Sequence, residues 1–182
     1  MLCKKNSLRP QVCLLLLSCL ITGRASADTF ADHTHVSMTG RILDTPCSID
    51  PGSREQTIRM GTTSVTEIAR HGAGRLVPFT VKLRDCSPVR SGGLLPDWQG
   101  LSVTFDGASD GGDFTVSGAA NGVALRIFDE NGNRAIPGKP LPDEPLGQDD
   151  PALNFTMQLV GNHRMLVRGD YRAVIHFGIS YF

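Results

Sequence analysis

The sequence predicts an all-β chain that folds as an immunoglobulin-like β-sandwich. Three observations predict it: apolar residues recur at every second position in short runs, segments rich in glycine and proline separate these runs, and no stretch has the spacing of a long amphipathic helix. Seven or eight short strands joined by such turns are typical of two packed antiparallel sheets. A single helical turn is predicted over residues 65–69.

The first 27 residues have the composition of a secretory signal peptide. Four basic residues and no acidic residue accompany an apolar run over 12–21, and the small-residue triplet Ala25-Ser26-Ala27 ends the segment. The apolar run is shorter than the roughly 20 residues that a membrane-spanning helix needs. We therefore expect export and cleavage after Ala27. The four basic residues removed from 18 leave 14 against 18 acidic ones, so the mature chain is mildly acidic.

Two classes of partner are disfavoured for the mature chain. Nucleic-acid binding needs grouped Lys and Arg, and the mature chain is net negative without a basic cluster. No second apolar stretch has the length of a membrane span. The sequence thus predicts an exported chain that contacts neither nucleic acid nor the bilayer interior.

Alternating apolar runs predict the strands in chain order. Residues of one parity point to one face of a strand, so each run predicts a half-buried strand. The runs cover residues 36–42, 79–83, 101–105, 123–127, 153–159 and 171–181, with weaker candidates at 57–60 and 114–117. Between them, Asn131-Gly132 is a strong hairpin signal. Four prolines over residues 137–145 exclude a central strand there and predict a long surface loop.

Cys47 and Cys86 are the two cysteines that remain outside the signal peptide. A single pair in an exported chain predicts a disulfide, because the compartment outside the inner membrane is oxidising. The bridge is worth about 4 kcal/mol in the chain-entropy model. Two distant cysteines without a nearby histidine pair do not predict a metal site, and no cofactor is expected.

Two short motifs could carry chemistry or adhesion. Residues 107–111 match the G-x-S-x-G pattern of a hydrolase around Ser109, but that motif works on a strand-to-helix turn and here lies between two predicted strands. Residues 168–170 form an Arg-Gly-Asp tripeptide, which any glycine-containing turn can produce. Surface turns are the favoured interpretation of both, and an enzyme is not expected.

The two ends of the mature chain carry a further pattern. The last fourteen residues begin with Gly169, have Tyr181 as the penultimate residue, and alternate in between; residues 36–49 alternate through Gly40 into Cys47 seven positions later. This arrangement resembles the pilin subunits of chaperone-usher fimbriae from Gram-negative bacteria. Residues 58–61, 81–86, 103–107 and 122–132 are similar to further segments of that family, so the resemblance covers essentially the whole mature chain.

The resemblance implies an immunoglobulin-like sandwich that lacks its last strand. It implies that a periplasmic chaperone fills the resulting groove first, that an outer-membrane usher assembles the fibre at the cell surface, and that a neighbouring pilin subunit then supplies the strand. It implies a signal peptide at 1–27, a donor extension at 28–42 and a pilin domain at 43–182. The implied donor face is Thr34, Val36, Met38, Gly40 and Ile42; the implied groove edge is Gly169, Ala173, Ile175, Phe177, Ile179 and Tyr181.

The sequence leaves the subunit's place in the fibre open. Over residues 76–182 it is somewhat more similar to the rod-terminating subunit of P-type pili than to the abundant rod pilin, so we expect a minor subunit and consider a terminating one. In that role the extension donates but the groove accepts no successor. The alternative from another class is a self-contained secreted β-sandwich that binds a carbohydrate or a host protein.

Overall fold

A computed structural model describes residues 38–40, 44–90, 93, 95–147 and 149–182. The chain divides into two units, and the second, Ile42–Phe182, contains every strand and helix given below. The predicted signal peptide lies outside the described residues, as do Thr34, Val36 and Ile42 of the predicted donor face.

The described elements are mostly short strands, as the alternating runs predict. The strands are β1 (Ser48–Ile49), β2 (Ala73–Arg84), β3 (Gly100–Asp106), β4 (Ser109–Asp110), β5 (Asp113–Thr115), β6 (Ser117–Gly118), β7 (Val123–Asp129), β8 (Arg134–Ala135), β9 (Glu144–Pro145), β10 (Ala152–Gly161), β11 (Tyr171–Arg172) and β12 (His176–Tyr181). The helices are α1 (Pro51–Arg54) and α2 (Val65–His71). The prediction of an all-β chain is confirmed.

The strands form two main sheets. The larger has the order β1-β2-β10-β7-β5-β4, with β8 paired to β7. The smaller has the order β12-β3-β9, and β11 pairs with β6 in a separate two-stranded ribbon. All of these pairs are antiparallel. Alternation along each strand therefore places one set of side chains between the sheets.

An aromatic cluster joins the two sheets at the centre of the core. Phe79 of β2 and Phe155 of β10 stack with ring centroids 5.4 Å apart. The ring of Phe105, from β3 in the other sheet, meets Phe155 edge to face at 4.9 Å. Such pairs add about 0.5–1.5 kcal/mol each beyond the area that they bury. Phe177 of β12 extends the cluster, with its ring centroid 6.3 Å from that of Phe105.

Helix α2 corresponds to the helical turn predicted at 65–69. The Ser64 side chain caps its first turn by accepting from Thr66 N, and Gly72 ends it in the left-handed conformation at φ 76° with its N–H donated to Ile68 O. Ile68 is buried against the core. The capping residues on both sides explain why so short a segment is helical.

A buried ion cluster ties three strands of the larger sheet together. The Asp113 carboxylate of β5 accepts from Arg126 Nε at 2.8 Å and Nη2 at 2.9 Å, in the two-pronged geometry that favours strong pairing. Arg134 Nη2 of β8 lies 2.7 Å from the same carboxylate. Asp113 raises the pKa of Arg126 mainly through this hydrogen bond. One carboxylate therefore pairs with two guanidinium groups, and the cluster keeps a net positive charge.

The proline-rich segment 137–146 is not the free surface loop that its composition predicts. Leu141 N donates to Val103 O at 2.8 Å, and Glu144–Pro145 pairs with the start of β3. Leu141 and Leu146 are buried in the core. The segment runs along an edge position, where a residue without an N–H is tolerated, and it covers that edge of β3.

Three predicted strands differ from the structure. Residues 57–60 belong to no strand, and the long run 171–181 divides into β11 and β12 with residues 173–175 outside any ladder. The candidate at 114–117 likewise divides between β5 and β6. The first two departures lie on opposite sides of one surface groove.

Candidate functional site

The last strand, β12, has a partner on one side only. Its ladder runs along β3, from His176 opposite Asp106 to Tyr181 opposite Leu101, and no described strand pairs with its other edge. Its alternate residues face the core but stay half-buried, whereas Val174 just before the strand is 73% exposed. Of the predicted edge positions, Gly169 is exposed, and five are half-buried in or just before this strand: Ala173, Ile175, Phe177, Ile179 and Tyr181. Tyr171, which was not predicted, is half-buried as well.

Residues 56–63 form the opposite wall of the groove. They lie along β2, but side chains hold them there in place of a backbone ladder: Gln56 Nε2 donates to Thr80 O at 2.9 Å, and Arg75 Nη2 donates to Met60 O at 3.2 Å. Pro78 in this part of β2 has no N–H to offer a ladder. Alternation at Ile58 and Met60 is a visible signal for this wall, although it predicts a strand.

Core side chains form the floor between the two walls. One section of the groove, of about 670 Å³, reaches Phe79, Phe105, Ile127 and Met157. The next section, of about 720 Å³, extends from Met157 to Leu125 and to the residues around Tyr171. Both sections are lined by wall residues of the 56–63 segment and of the 171–177 segment. The groove thus opens the hydrophobic core along a line beside β12.

Polar and charged side chains also line the groove, most of them along the 56–63 wall and around Tyr171. Arg54, Glu55 and Arg59 lie at its rim. Inside, burial raises the pKa of Tyr171, and the positive charge of Arg75 partly opposes that rise. Burial also raises the pKa of Tyr181, whose ring packs edge to face on Trp98 with centroids 6.1 Å apart. Both phenols therefore keep their protons at neutral pH.

This geometry fits an extended strand. A free strand edge presents N–H and C=O groups for pairing, and an apolar floor with regular alternation accepts side chains of one parity. The residues that line the groove do not include the G-x-S-x-G match at residues 107–111. Ser109 lies in the β4–β5 hairpin, whose Gly111 and Gly112 have φ of 60° and 85°, rather than on a strand-to-helix turn.

At the start of the last segment, the backbone at Gly169 packs closely against the backbone of residues 119–120. A Cβ at Gly169 would lie 2.6 Å from Ala119 C and Ala120 N. Asp170 O accepts from the N–H groups of these two residues, at 3.0 and 3.1 Å. Glycine at 169 is therefore required by packing, and the Arg-Gly-Asp tripeptide is part of this junction.

The expected disulfide lies near the start of the pilin domain. Cys47 and Cys86 are bridged, with their Cα atoms 4.2 Å apart, and Ser87 N donates to Pro46 O at 2.7 Å. Beyond this anchor, Met38 is 89% exposed and Gly40 is also exposed. These are the two predicted donor positions that the structure describes.

The described ranges contain no candidate metal centre. Among these residues, no group of three or more His, Cys, Asp or Glu side chains could hold a metal ion. None of the helices in this part of the chain is long and apolar enough to cross a membrane.

Comparison with known proteins gives consistent matches. The family model described as fimbrial protein matches residues 36–181. The PRS and PAP fimbrial minor pilin proteins of Escherichia coli are each 34% identical over 144 residues, which cover 78% of this chain and 74% of theirs. Among solved structures, the P pilus rod subunit PapA superposes with a TM-score of 0.67 at 19% identity, covering 76% of this chain and 100% of that one.

Proposed function

The chain belongs to the fimbrial protein family, and we propose that it enters its fibre by donating one β-strand, while its own groove accepts a strand from a chaperone and, unless the subunit ends the rod, from the next subunit. It is a structural subunit of a chaperone-usher fimbria, and its immunoglobulin-like sandwich lacks the last strand. The open groove carries the proposal. One alternating strand laid between the 56–63 wall and β12 would cover the exposed core and satisfy the free edge of β12.

A periplasmic chaperone is the first proposed occupant of the groove. The predicted signal peptide at 1–27 would deliver the chain to the periplasm, where an apolar groove beside a free strand edge is an aggregation hazard. A chaperone strand would protect β12 until an outer-membrane usher passes the subunit to the growing fibre. The subunit would then lie in a fimbrium at the cell surface.

Residues 28–42 are the proposed donor strand for the neighbouring subunit, ahead of the pilin domain at 43–182. Thr34, Val36, Met38, Gly40 and Ile42 share one parity and would enter the groove of that neighbour. The exposure of Met38 and Gly40 supports this, because neither is part of a core in its own chain. Gly40 would lie where any side chain would collide with the recipient groove.

We further propose that the chain is a minor subunit, because the relatives at 34% identity are minor pilin proteins. The finer proposal is that it terminates the rod. In that case its extension enters the preceding subunit while its own groove takes no successor, so growth stops.

Donor fusions test the groove. The mature chain alone should aggregate, whereas fusing an alternating apolar peptide behind Phe182 should yield a folded monomer. The matched control is the same peptide with its alternation shifted by one residue, which turns the apolar set away from the floor. A stable, folded monomer without any added strand would contradict the proposal.

Two further experiments test the donor strand and the terminating role. Deleting residues 28–39 should preserve chaperone binding and abolish incorporation into fibres; normal incorporation would refute the donor assignment. For termination, the chaperone-bound subunit is mixed with peptides that match the extensions of other subunits. Absence of exchange supports a terminator, and rapid exchange contradicts it.

A further inference from the structure

One end of the sandwich is rich in arginine. It is formed by the start of β2, helix α2 and the segment 161–172, where Gly161 N donates to Gly72 O at 2.8 Å, and the second section of the groove opens there. Six exposed arginines belong to this arginine-rich end: Arg59, Arg70, Arg75, Arg164, Arg168 and Arg172. The described carboxylates at the same end are Glu67, Asp110 and Asp170, so positive charges exceed negative ones by three.

The opposite end of the sandwich is rich in carboxylates. It lies at the other end of β2, a strand of 12 residues that spans about 36 Å, and it contains β1, the disulfide and the start of β3. Trp98 N donates to Pro88 O and thereby brings the start of β3 to this end. The described carboxylates of this carboxylate-rich end are Asp44, Asp50, Asp85, Asp97, Asp143, Glu144, Asp149 and Asp150, against the basic residues Arg54, Lys82, Arg84 and Arg90.

Opposite charges at the two ends favour contact between molecules over contact within one molecule. The ends of one sandwich are separated by several times the distance of about 10 Å over which 0.1 M salt screens a charge, so they do not neutralise each other. A single exposed ion pair contributes little. Grouped charges of opposite sign on two molecules, however, orient the molecules and speed their association.

The groove connects these charges to strand exchange. β12 runs from the arginine-rich end to the carboxylate-rich end, where Phe182 O accepts from Gln99 N at 2.7 Å. A strand antiparallel to β12 therefore finishes beside the arginines. In the donor, residues 28–42 are followed directly by Asp44 and the carboxylate-rich end. That end would then face the arginines around the recipient groove.

We propose that successive fimbrial subunits dock through these charges, with the carboxylate-rich end of the donor on the arginine-rich end of the recipient. This inference rests on the proposed function, and a second copy of this chain has the charge pattern that the neighbour needs. In a rod-terminating subunit, only the carboxylate-rich end would be used. The contact adds a salt-sensitive attraction between the two sandwiches to the pairing of the strand.

A tandem of two mature chains tests the contact, with the second copy as the neighbour. The extension of the second copy follows Phe182 of the first through a short turn, and a fused donor peptide fills the groove of the second. In the first copy, Arg168→Lys and Arg172→Lys keep the charge and supply amines that a carbodiimide couples to carboxylates in direct contact. Mass spectrometry of the monomeric tandem then identifies the joined residues. Since the two ends of one copy are about 36 Å apart, a link between them must join the two copies.

The expected result is a link from the introduced amines to the carboxylate-rich end of the second copy, at Asp44, Asp149 or Asp150. Raising the salt from about 0.01 M to about 1 M shortens the screening distance from about 30 Å to about 3 Å and should lower the yield about fivefold or more. The matched control has the same two substitutions in the second copy, whose arginine-rich end has no neighbour, and should give no such link.

Two kinds of failure can be told apart. A folded tandem without the link, a yield that salt does not change, or an equal yield in the control would overturn this inference and leave the proposed function standing. Failure of the tandem to fold would overturn the proposed function itself, and this inference with it.

Discussion

Loss of the Cys47–Cys86 disulfide should cost the fold much of its stability without changing a residue that lines the groove. The bridge joins positions 39 residues apart. For a loop of that size, the chain-entropy expression gives about 13 cal/mol/K, or about 4 kcal/mol at 25 °C. Cys47 is buried, so replacing it with alanine also leaves a small space beside the core.

The measurement needs a protein whose groove is filled. We therefore take the subunit with a donor peptide fused behind Phe182 and compare its urea unfolding in oxidised and reduced form. Reduction isolates the cross-link because it adds only hydrogen atoms. The double variant Cys47→Ala, Cys86→Ala serves as the permanently unbridged form. Its melting temperature should fall by roughly 8–16 °C, given about 2–4 °C per kcal/mol for a chain of this size.

The reasoning fails if oxidised and reduced protein differ by less than about 1 kcal/mol, well below the chain-entropy value. That result would mean that the unfolded chain already keeps these two segments together, so that the bridge removes little freedom. A loss in the double variant that exceeds the loss on reduction would instead measure the missing sulfur atoms.

Three other changes can be predicted from named contacts. Gly169→Ala should lower the free energy of unfolding by about 1–3 kcal/mol, because the added Cβ would collide with the backbone of residues 119–120. The control Gly178→Ala, on β12, adds its Cβ into open space, so its free energy of unfolding in the same urea assay should stay within about 0.5 kcal/mol of wild type. Asp113→Asn should cost about 2–3 kcal/mol, because two partly buried arginines lose their shared carboxylate; Asp85→Asn, which breaks an exposed pair, should cost under about 1 kcal/mol. Burial, and then two neighbouring carboxylates, raise the pKa of Glu144, so the folded state binds more protons than the unfolded chain between the ordinary and the raised value. Wild-type stability should therefore fall as pH rises through that window, and Glu144→Gln should flatten the fall; an unchanged pH profile would contradict this cause.

The sequence predicts the strands of the core well, because apolar residues recur at every second position along them. It predicts the groove walls poorly. Ile58 and Met60 alternate like a strand, but Gln56 and Arg75 hold that segment to β2 through side chains, and such contacts leave no periodic signal. The prediction for the 137–146 segment correctly excludes a central strand but misses its contact with β3, because proline content does not reveal that an edge position is available.

The functional site likewise has some parts that the sequence predicts and others that only the structure reveals. The resemblance identifies the half-buried residues of the last segment, and their open edge is visible in the structure. The floor residues Leu125 and Met157 come from strands that are far apart in the sequence. Only the sheet order shows that these strands, β7 and β10, are neighbours.

The proline-rich segment 137–146, which covers one edge of β3, limits how many strands of other subunits this subunit can pair with. The smaller sheet ends at β9, which has two residues and closes with Pro145, so that side offers no usable edge among the described strands. One acceptor edge of this sheet remains, at β12, and the proposed extension supplies one donor. In the language of polymer chemistry, the proposed subunit has a valence of two where its groove accepts a successor and of one where it ends the rod, so in neither role can it branch or cross-link the fibre. The prolines of this segment thus favour an unbranched fibre over a cross-linked network.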